Sequence, residues 1–449
     1  MRKPKGAVAG HLLRILGLAF GLAVVVGGVV GQGILRTPGL VAGAVPSVSL
    51  IMLLWLMGGI AVVIDACSVV ELGASIPLEG GPYAITRRCY GPTYGTVVGW
   101  ADWINGTLIV AFLSVVFGEY CQRLGIGGRL PIAILSLALI AACTGFNWTS
   151  TRLSGASQTL LSALKGVALI ALVLALFLIA PQHPASSAAA AVATARPPIL
   201  AAAALVAASA VFNTYSGWNA TIYFGEEMVA PDRNVVRATF GGILFVIALY
   251  LAVNAALLHV LTPAEMAASK LPAGDAAMRI FGTHGDTLIT ILSLLSVGAI
   301  ANLYIMLNSR VGFAMARDRV LPAQLARTSA SGTPRVALAA SALVAAGAAA
   351  SGTYEQIVSA TVALSLGISV SMNLAAIVMR KKEPRLARPF RMPLYPVPAL
   401  LAMAINLALL AGLLFEDPWH SAIGLAAAIA LGLAYSAFAT RAAAVPAPT

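Results

Sequence analysis

Two stretches of the chain interrupt long apolar runs with small and polar residues. The first reads Gly27-Gly-Val-Val-Gly-Gln-Gly33, and the second reads Phe212-Asn-Thr-Tyr-Ser-Gly-Trp-Asn219. Glycines allow a membrane helix to unwind, and unwinding frees backbone N–H and C=O groups that lipid cannot satisfy. Freed N–H groups at the positive end of a half-helix attract a carboxylate, and freed carbonyl oxygens accept hydrogen bonds from an ammonium group. The two stretches therefore predict a site for a zwitterion.

The first stretch supplies the predicted carboxylate site. If the helix unwinds there and restarts before Pro38, the N–H groups of residues 31–34 point to one place. Carbonyl oxygens from the same break and from residues 212–216 are expected to meet the ammonium group. A second interpretation stays open, because Gly27 and Gly31 form a G-x-x-x-G pattern that packs helices closely. The second stretch favours the paired binding site.

Four charged residues fall inside apolar segments, and each is a functional candidate because a charge in lipid is costly. They are Arg36, Asp65, Asp102 and Lys165. Lys165 lies in the middle of its segment, so it is expected to alternate between charged and neutral forms or to act as a fixed cation. Asp65 and Asp102 are open as ion-pair partners, proton carriers or residues lining a water cavity. Arg36 is expected to face an external vestibule.

The composition requires a membrane around these residues. Charged residues make up 10% of the 449, and the mean hydropathy is +0.91, whereas soluble domains are about 25% charged. Continuous apolar runs of about 20 residues favour membrane helices over a β-barrel. Twelve helices are predicted, near residues 12–44, 48–76, 92–120, 130–146, 154–180, 198–229, 236–261, 286–318, 336–351, 353–379, 394–415 and 419–440.

Positive charge is distributed unevenly between the loops. Numbered alternately, the loops on the side opposite the N-terminus hold only Arg123, Arg129, Arg196, Lys270 and Arg279. Cytoplasmic loops carry the excess of Lys and Arg, so we predict a multi-pass protein of the cell membrane with both termini in the cytoplasm. The net charge of +12 thus reflects topology rather than nucleic acid binding, and contact with membrane lipid headgroups is a secondary expectation.

Other sequence signals exclude further classes of site. The four cysteines contain no C-x-x-C pair and the five histidines show no metal-ligand spacing, so no disulfide, metal or cofactor is predicted. The apolar run after Met1 continues past Val30 through glycine-rich sequence, which predicts a retained helix rather than a signal peptide.

The two interruptions also divide the chain. If each begins a repeat, residues 1–190 hold five helices, residues 191–380 hold five more, and residues 381–449 hold two additional helices and a tail. The loops are too short for a soluble domain. A disordered external loop is predicted near 181–197, and a short surface helix within 262–285.

Acidic and basic residues flank the later helices on the predicted cytoplasmic side. The end of the sixth helix carries Glu226-Glu227 and Asp232-Arg233, and its expected counterpart after the eighth helix is Arg310, Arg317, Asp318 and Arg319. We expect them to form a solvated or gate-forming cluster.

Four motifs in order point to one family. They are Gly31-Gln-Gly-Ile-Leu-Arg-Thr-Pro-Gly39; Glu71-Leu-Gly with Pro77-Leu-Glu-Gly-Gly-Pro-Tyr83; Ser216-Gly-Trp-Asn219 with Glu226-Glu227 and Pro231-Asp-Arg-Asn234; and Ser309-Arg310, Ala316-Arg-Asp318, Leu321-Pro322 and Thr333-Pro334. The first three resemble G-S-G-I-F-x-x-P-G, E-L-G…P-x-x-G-G-x-Y and G-G-W-N…E-E…P-x-R-N. All four are similar to motifs of the amino acid–polyamine–organocation superfamily, and within it of the L-type amino acid transporter branch.

The resemblance implies an all-α polytopic membrane protein with a LeuT-like fold, built from five plus five inverted helices and two additional C-terminal helices. It also implies secondary active transport of amino acids by alternating access. Lys165 falls where many family members keep a lysine, in the region where sodium-coupled relatives of this fold hold sodium. The implied transport is therefore independent of sodium, by proton symport or by amino acid exchange. The substrate-binding residues carried over are Val29, Gly31, Gln32, Gly33, Ile34, Asn213, Tyr215, Ser216 and Gly217.

Two of these positions depart from the family pattern. Gln32 replaces a serine and Asn213 replaces an aromatic residue, and both changes add hydrogen-bonding groups. Polar, small or cationic amino acids stay open as substrates, and transport of amines or polyamines is the alternative. Some family members pair with a single-span glycoprotein through an external cysteine. Residues around Cys121 do not match that site, so no such subunit is expected.

Three other functions fit the sequence less well. A metal importer of the same fold needs carboxylate and Met ligands at the breaks, where the first break has no carboxylate and Met228 lies too far along. An enzyme needs a paired nucleophile and base or an H-E-x-x-H motif, which the sequence lacks. A channel fits two broken helices around a small ligand less well than an occluding transporter does.

Overall fold

The computed structural model describes residues 12–45, 47–179, 201–351 and 354–444. Its helices are α1 Leu18–Val29, α2 Gly33–Ala44, α3 Val48–Ser75, α4 Pro82–Tyr90, α5 Pro92–Arg123, α6 Ile132–Thr149, α7 Thr151–Ile179, α8 Ala201–Thr214, α9 Pro231–Val260, α10 Pro263–Ala268, α11 Pro272–Phe281, α12 His284–Arg317, α13 Arg335–Ala350, α14 Tyr354–Lys382, α15 Val397–Glu416 and α16 Pro418–Ala444. Two short 3-10 helices, Trp218–Tyr223 and Ala323–Ala326, complete the described elements.

The helices are long and apolar enough to cross a membrane. Nine of those described pass this test singly, and α1 and α2, bent by 43° at their break, make a tenth if they count as one span. α8 and α13 have 14 and 16 residues and do not reach the same length. The prediction of a polytopic helical protein is confirmed, whereas the described helices do not confirm the number of twelve spans.

Glycine and proline mark where the helices begin and end. Gly91 ends α4 with φ at +100°, a backbone angle that side chains disfavour, and Pro92 begins α5. Thr262 and Glu265 form a capping box at the start of α10. The predicted helix within 262–285 is therefore present, as the pair α10 and α11, while the predicted loop near 181–197 lies outside the described residues.

Two elements differ from the sequence prediction. Residues 82–90, placed in a loop, form the amphipathic helix α4, whose last turn carries Arg87 and Arg88. The helix predicted over 198–229 ends at Thr214, and a six-residue 3-10 helix follows the break. The region after the interruption, predicted to continue as an α-helix to residue 229, thus forms only this short 3-10 helix.

The centre of the bundle is formed by α12, α5, α1, α9 and α3, which pack extensively in pairs. α12 is the most buried of the nine single spans, with 67% of its most apolar 18-residue stretch buried inside the protein. α15 and α16 are the least buried, at 22% each. α15 packs on α14 and α3, and α16 packs on α5 and α14. The last two helices therefore lie at the edge of the bundle.

Candidate functional site

The first helix break lies between Val29, where α1 ends, and Gly33, where α2 begins. Val30 has an extended backbone, with φ at −69° and ψ at 99°, and the residue before α2, Gln32, makes no side-chain cap within the described structure. The first N–H groups of a helix have no partner inside it. The start of α2 therefore presents N–H groups at the positive end of its dipole, as the sequence predicts.

The second break follows α8 and lies directly against the first. Gly217 adopts φ +101°, a left-handed conformation suited to glycine. A Cβ atom built on Gly28 would lie 2.5 Å from the Gly217 carbonyl oxygen, so only glycine permits this approach. On the other side, the Thr37 and Thr214 hydroxyl oxygens lie 2.9 Å apart. The two breaks thus form one continuous region of polar backbone.

Lys165 of α7 extends into the first break. Its side chain is fully buried, and its ammonium group donates hydrogen bonds to the carbonyl oxygens of Gly27, at 2.5 Å, and Val30, at 2.6 Å. A buried charge is tolerated only where polar partners replace water. The unwound backbone provides those partners, and the lysine provides the break with a positive charge.

Tyr250 of α9 joins both breaks and was not identified from the sequence. Its hydroxyl lies 2.9 Å from the Val29 carbonyl oxygen and 3.3 Å from that of Thr214. A carbonyl oxygen has two lone pairs, so Val29 retains capacity to accept a second donor. A single tyrosine in an apolar helix carries no local signal of this role.

The predicted binding residues occupy different surroundings. Gln32 accepts a hydrogen bond from the Tyr120 hydroxyl at 3.0 Å. Asn213 and Ser216 are exposed and line a cavity of about 480 Å³ beside α14 and α15. Tyr215 is buried, and its hydroxyl donates to the Trp55 carbonyl oxygen of α3 at 3.1 Å. The Tyr215 side chain is therefore directed into the core, whereas Asn213 and Ser216 face open space.

A smaller cavity of about 80 Å³ adjoins the second break. Ser216 and Gly217 line it, and so do Asp65 of α3 and Asp102 of α5. Of the three roles left open for the two aspartates, lining a cavity is the one the structure shows. Arg36 is exposed at the surface of α2.

A cluster of ion pairs lies where α12 ends. Arg310 is buried and binds both carboxylate oxygens of Glu227 at 3.0 Å, with a Glu79 oxygen 3.8 Å from its Nε. Arg317 binds both oxygens of Glu226, at 2.7 and 2.8 Å, nearer the surface. The predicted charged cluster is thus present as two Arg–Glu pairs, one buried and one nearer the surface.

Backbone hydrogen bonds also join two segments of the chain at this cluster. The N–H groups of Ile15 and Leu16 both donate to the Glu227 carbonyl oxygen at 3.0 Å, and the Val229 N–H donates to the Leu16 carbonyl oxygen at 2.8 Å. The segment before α1 and the segment before α9 are therefore joined below the two breaks.

Known proteins share this sequence over almost its whole length. The serine/threonine exchanger SteT of Bacillus subtilis (strain 168) is 27% identical over 412 residues, which cover 90% of this chain and 92% of that protein. The Asc-type amino acid transporter 1 of Mus musculus is 29% identical over 397 residues, covering 85% and 73%. The large neutral amino acids transporter small subunit 2 of Homo sapiens is 29% identical over 441 residues, covering 94% and 79%.

These relatives are transporters and exchangers, which confirms the prediction that the chain is not an enzyme. The sequence profile of the amino acid permease family matches residues 16–438. This match spans both helix breaks, the buried lysine and the Arg–Glu cluster. The chain belongs to the amino acid permease family and is a multi-pass membrane transporter of amino acids.

Proposed function

We propose that the protein transports amino acids by alternating access, without sodium, and that the substrate zwitterion binds between the two helix breaks. The contact of the Lys165 ammonium group with the Gly27 and Val30 carbonyl oxygens carries this proposal. The Lys165 side chain already occupies the oxygen atoms that a metal cation would need at this break. Coupling to sodium is therefore not required there.

The two ends of the substrate have matching groups in the proposed site. The N–H groups of residues 31–34 receive the carboxylate, and the positive charge of Lys165 adds to the α2 dipole. The Val29 carbonyl oxygen, with Asn213, Ser216 and the backbone of Tyr215 and Gly217, receives the ammonium group. Gln32 is held by Tyr120, so its position beside the carboxylate site is fixed.

The energy source is either a proton gradient or a second amino acid. The relative named as a serine/threonine exchanger supports exchange. Lys165 supports proton coupling, because a buried lysine can lose its proton when its surroundings change. Both modes use the same binding site.

The closed Arg–Glu cluster and the cavity beside Asn213 support alternating access. We propose that the ion pairs mark the closed side of the bundle and that the cavity beside exposed Asn213 and Ser216 marks the open side. We propose that residues 1–190 and 191–380 are the two inverted repeats that move against each other, with residues 381–449 at the periphery.

The distribution of charge and the burial of Cys121 support a cellular location and an assembly state. The excess of basic residues on the N-terminal side supports a cell membrane protein with cytoplasmic termini. Cys121 is buried, with 3% of its surface exposed, which supports function without a disulfide-linked glycoprotein.

The test is uptake of radiolabelled amino acids into proteoliposomes of the purified full-length protein. Uptake stimulated by internal amino acid identifies exchange, and uptake stimulated by an inward proton gradient identifies symport. Uptake should be equal in sodium and choline buffers. Dependence on sodium, or absence of amino acid uptake by folded protein, would overturn the proposal.

Transport of amines or polyamines is the second candidate, since two aspartates line the cavity next to the second break. An amine without a carboxylate makes no use of the N–H groups at the start of α2. Uptake of putrescine that exceeds uptake of ornithine would favour this candidate.

A further inference from the structure

The small cavity beside the second break contains an unpartnered carboxylate oxygen. Asp102 is 95% buried, and its Oδ1 atom accepts a hydrogen bond from the Tyr223 hydroxyl at 2.7 Å. Its Oδ2 atom has no hydrogen-bond partner among the described residues. A buried carboxylate oxygen without a hydrogen-bond partner is costly, so the cavity favours a group that can donate to this Oδ2 atom.

Two asparagine side chains of the cavity also offer acceptors rather than donors. The Asn105 amide nitrogen donates to the Ser365 hydroxyl at 3.0 Å, and the Asn406 nitrogen donates to the Ala402 carbonyl oxygen at 2.8 Å. Both residues are more than nine-tenths buried, and their Oδ1 atoms have no hydrogen-bond partner in the described part of the chain. At least one amide hydrogen of each asparagine is thus used within the protein, whereas both oxygen acceptors remain.

A second carboxylate adds to the acidic character of the cavity. Asp65 is buried and accepts a hydrogen bond from the Asn373 amide at 2.6 Å. The described residues that line the cavity include two aspartates and no lysine or arginine. A guest with several donors and a positive charge therefore complements the carboxylate and amide oxygens of this site.

We propose, on the basis of the transport function proposed above, that this cavity binds the ammonium or guanidinium group at the end of a cationic amino acid side chain. Gly217 lines the cavity and also lies against Gly28 of the first break, so main-chain and side-chain sites adjoin. A volume of about 80 Å³ suits the terminal group rather than a whole amino acid. Asp102 is the principal partner of the cation, and Asn105 and Asn406 supply further acceptors.

The experiment compares arginine with citrulline, which has nearly the same shape but a neutral urea group. Each competes with a labelled neutral amino acid for uptake by the full-length protein in proteoliposomes. Arginine should inhibit at a concentration at least about tenfold lower than citrulline, because one buried ion pair distinguishes them. In Asp102→Asn, which preserves the shape of the side chain, this ratio should fall toward one.

The matched control is Asp286→Asn at the start of α12, where the carboxylate pairs with Arg123 away from the cavity. It should keep the arginine-to-citrulline ratio of the wild-type protein. The wild-type ratio needs no variant, so the inference is tested even if Asp102→Asn does not fold.

The outcomes separate the two proposals. If folded wild-type protein transports no amino acid, the proposed function fails. If it transports neutral amino acids but arginine inhibits no better than citrulline, the cation site alone is overturned. Neutral uptake that requires sodium or potassium, with no preference for arginine, would assign the cavity to an inorganic cation and overturn the inference as well.

Discussion

Gly28 and Gly217 lie in direct backbone contact where the two broken helices meet. A Cβ atom on Gly28 would lie 2.5 Å from the Gly217 carbonyl oxygen, far inside normal contact distance. Gly28→Ala must therefore move one break away from the other and should destabilise the protein by about 1–3 kcal/mol while lowering uptake.

Thermal unfolding of the purified variant and its uptake rate test this expectation. Gly145→Ala on α6 is the matched control, since an added Cβ there meets no atom within 4 Å. Equal behaviour of the two variants would show that close contact between the breaks is unimportant.

Removal of the Lys165 ammonium group should leave a folded protein that no longer transports or no longer couples transport. Two charge-assisted hydrogen bonds to the first break are lost in Lys165→Ala, so uptake should fall by at least about 100-fold. Uptake and its pH dependence are measured in proteoliposomes, with gel filtration to verify folding. Lys270→Ala, at an exposed position outside the spans, controls for loss of charge. Normal uptake in Lys165→Ala would reduce the lysine to a packing role.

The Tyr250 hydroxyl can be removed without changing its ring. Tyr250→Phe keeps the aromatic packing on Trp55 and Tyr215 but loses the contacts with the Val29 and Thr214 carbonyl oxygens. We expect a loss of about 1–3 kcal/mol in stability and an increased KM for substrate, because the single O–H donor shared by two carbonyl oxygens is lost. Tyr435→Phe, whose ring packs on Trp100, is the control. An unchanged KM would contradict a role of Tyr250 in ordering the site.

The two Arg–Glu pairs should differ strongly in their contribution to stability. Glu227→Gln leaves Arg310, with 1% of its side chain exposed, without its bidentate partner and should cost about 3–5 kcal/mol. Glu226→Gln affects a pair whose arginine is 40% exposed, and exposed pairs contribute about 0–1 kcal/mol. Unfolding of both variants in denaturant gives the comparison. A larger loss for Glu226→Gln would reverse this ranking.

The capping box at α10 should make the free energy of unfolding depend on pH in the acidic range. Burial opposes the shift, but hydrogen bonds from Thr262 and Arg279 lower the pKa of Glu265 from 4.5 to about 2. Because the pKa is lower in the folded state than in the unfolded state, ionised Glu265 stabilises the fold at pH values above about 4.5. This contribution disappears as the pH falls from about 4.5 to about 2. Glu265→Gln should therefore lower the melting temperature at pH 6 more than at pH 3. An equal decrease at both values would exclude this linkage.

Long apolar runs determine most of the helix boundaries. The segment predicted over 48–76 is α3, Val48–Ser75, and the segment predicted over 286–318 is α12, His284–Arg317. Such runs are readable because each must match the thickness of the membrane. The helix at Pro82–Tyr90 was missed because it is amphipathic and short, and its apolar face is covered only in the folded protein.

The site was predictable where a residue type is unusual for its surroundings. Lys165 and the glycines of the first break stand out in apolar sequence, and charges after the sixth and eighth predicted helices, on the same predicted side, suggested a cluster. Tyr250 did not stand out, because aromatic residues are common in such helices and its hydroxyl contacts depend on the fold. The common cavity of Asp65 and Asp102 likewise requires the packing of α3 against its neighbours.

Rewinding of the 3-10 helix Trp218–Tyr223 into an α-helix would change the length of the segment after the second break. A 3-10 helix rises about 2.0 Å per residue and an α-helix about 1.5 Å, so rewinding six residues would shorten this segment by about 3 Å. Gly217 at one end contacts the first break, and the segment leads at the other end to Glu227 and the Arg–Glu cluster. A change in winding beside the first break would therefore become an axial displacement at the Arg–Glu cluster.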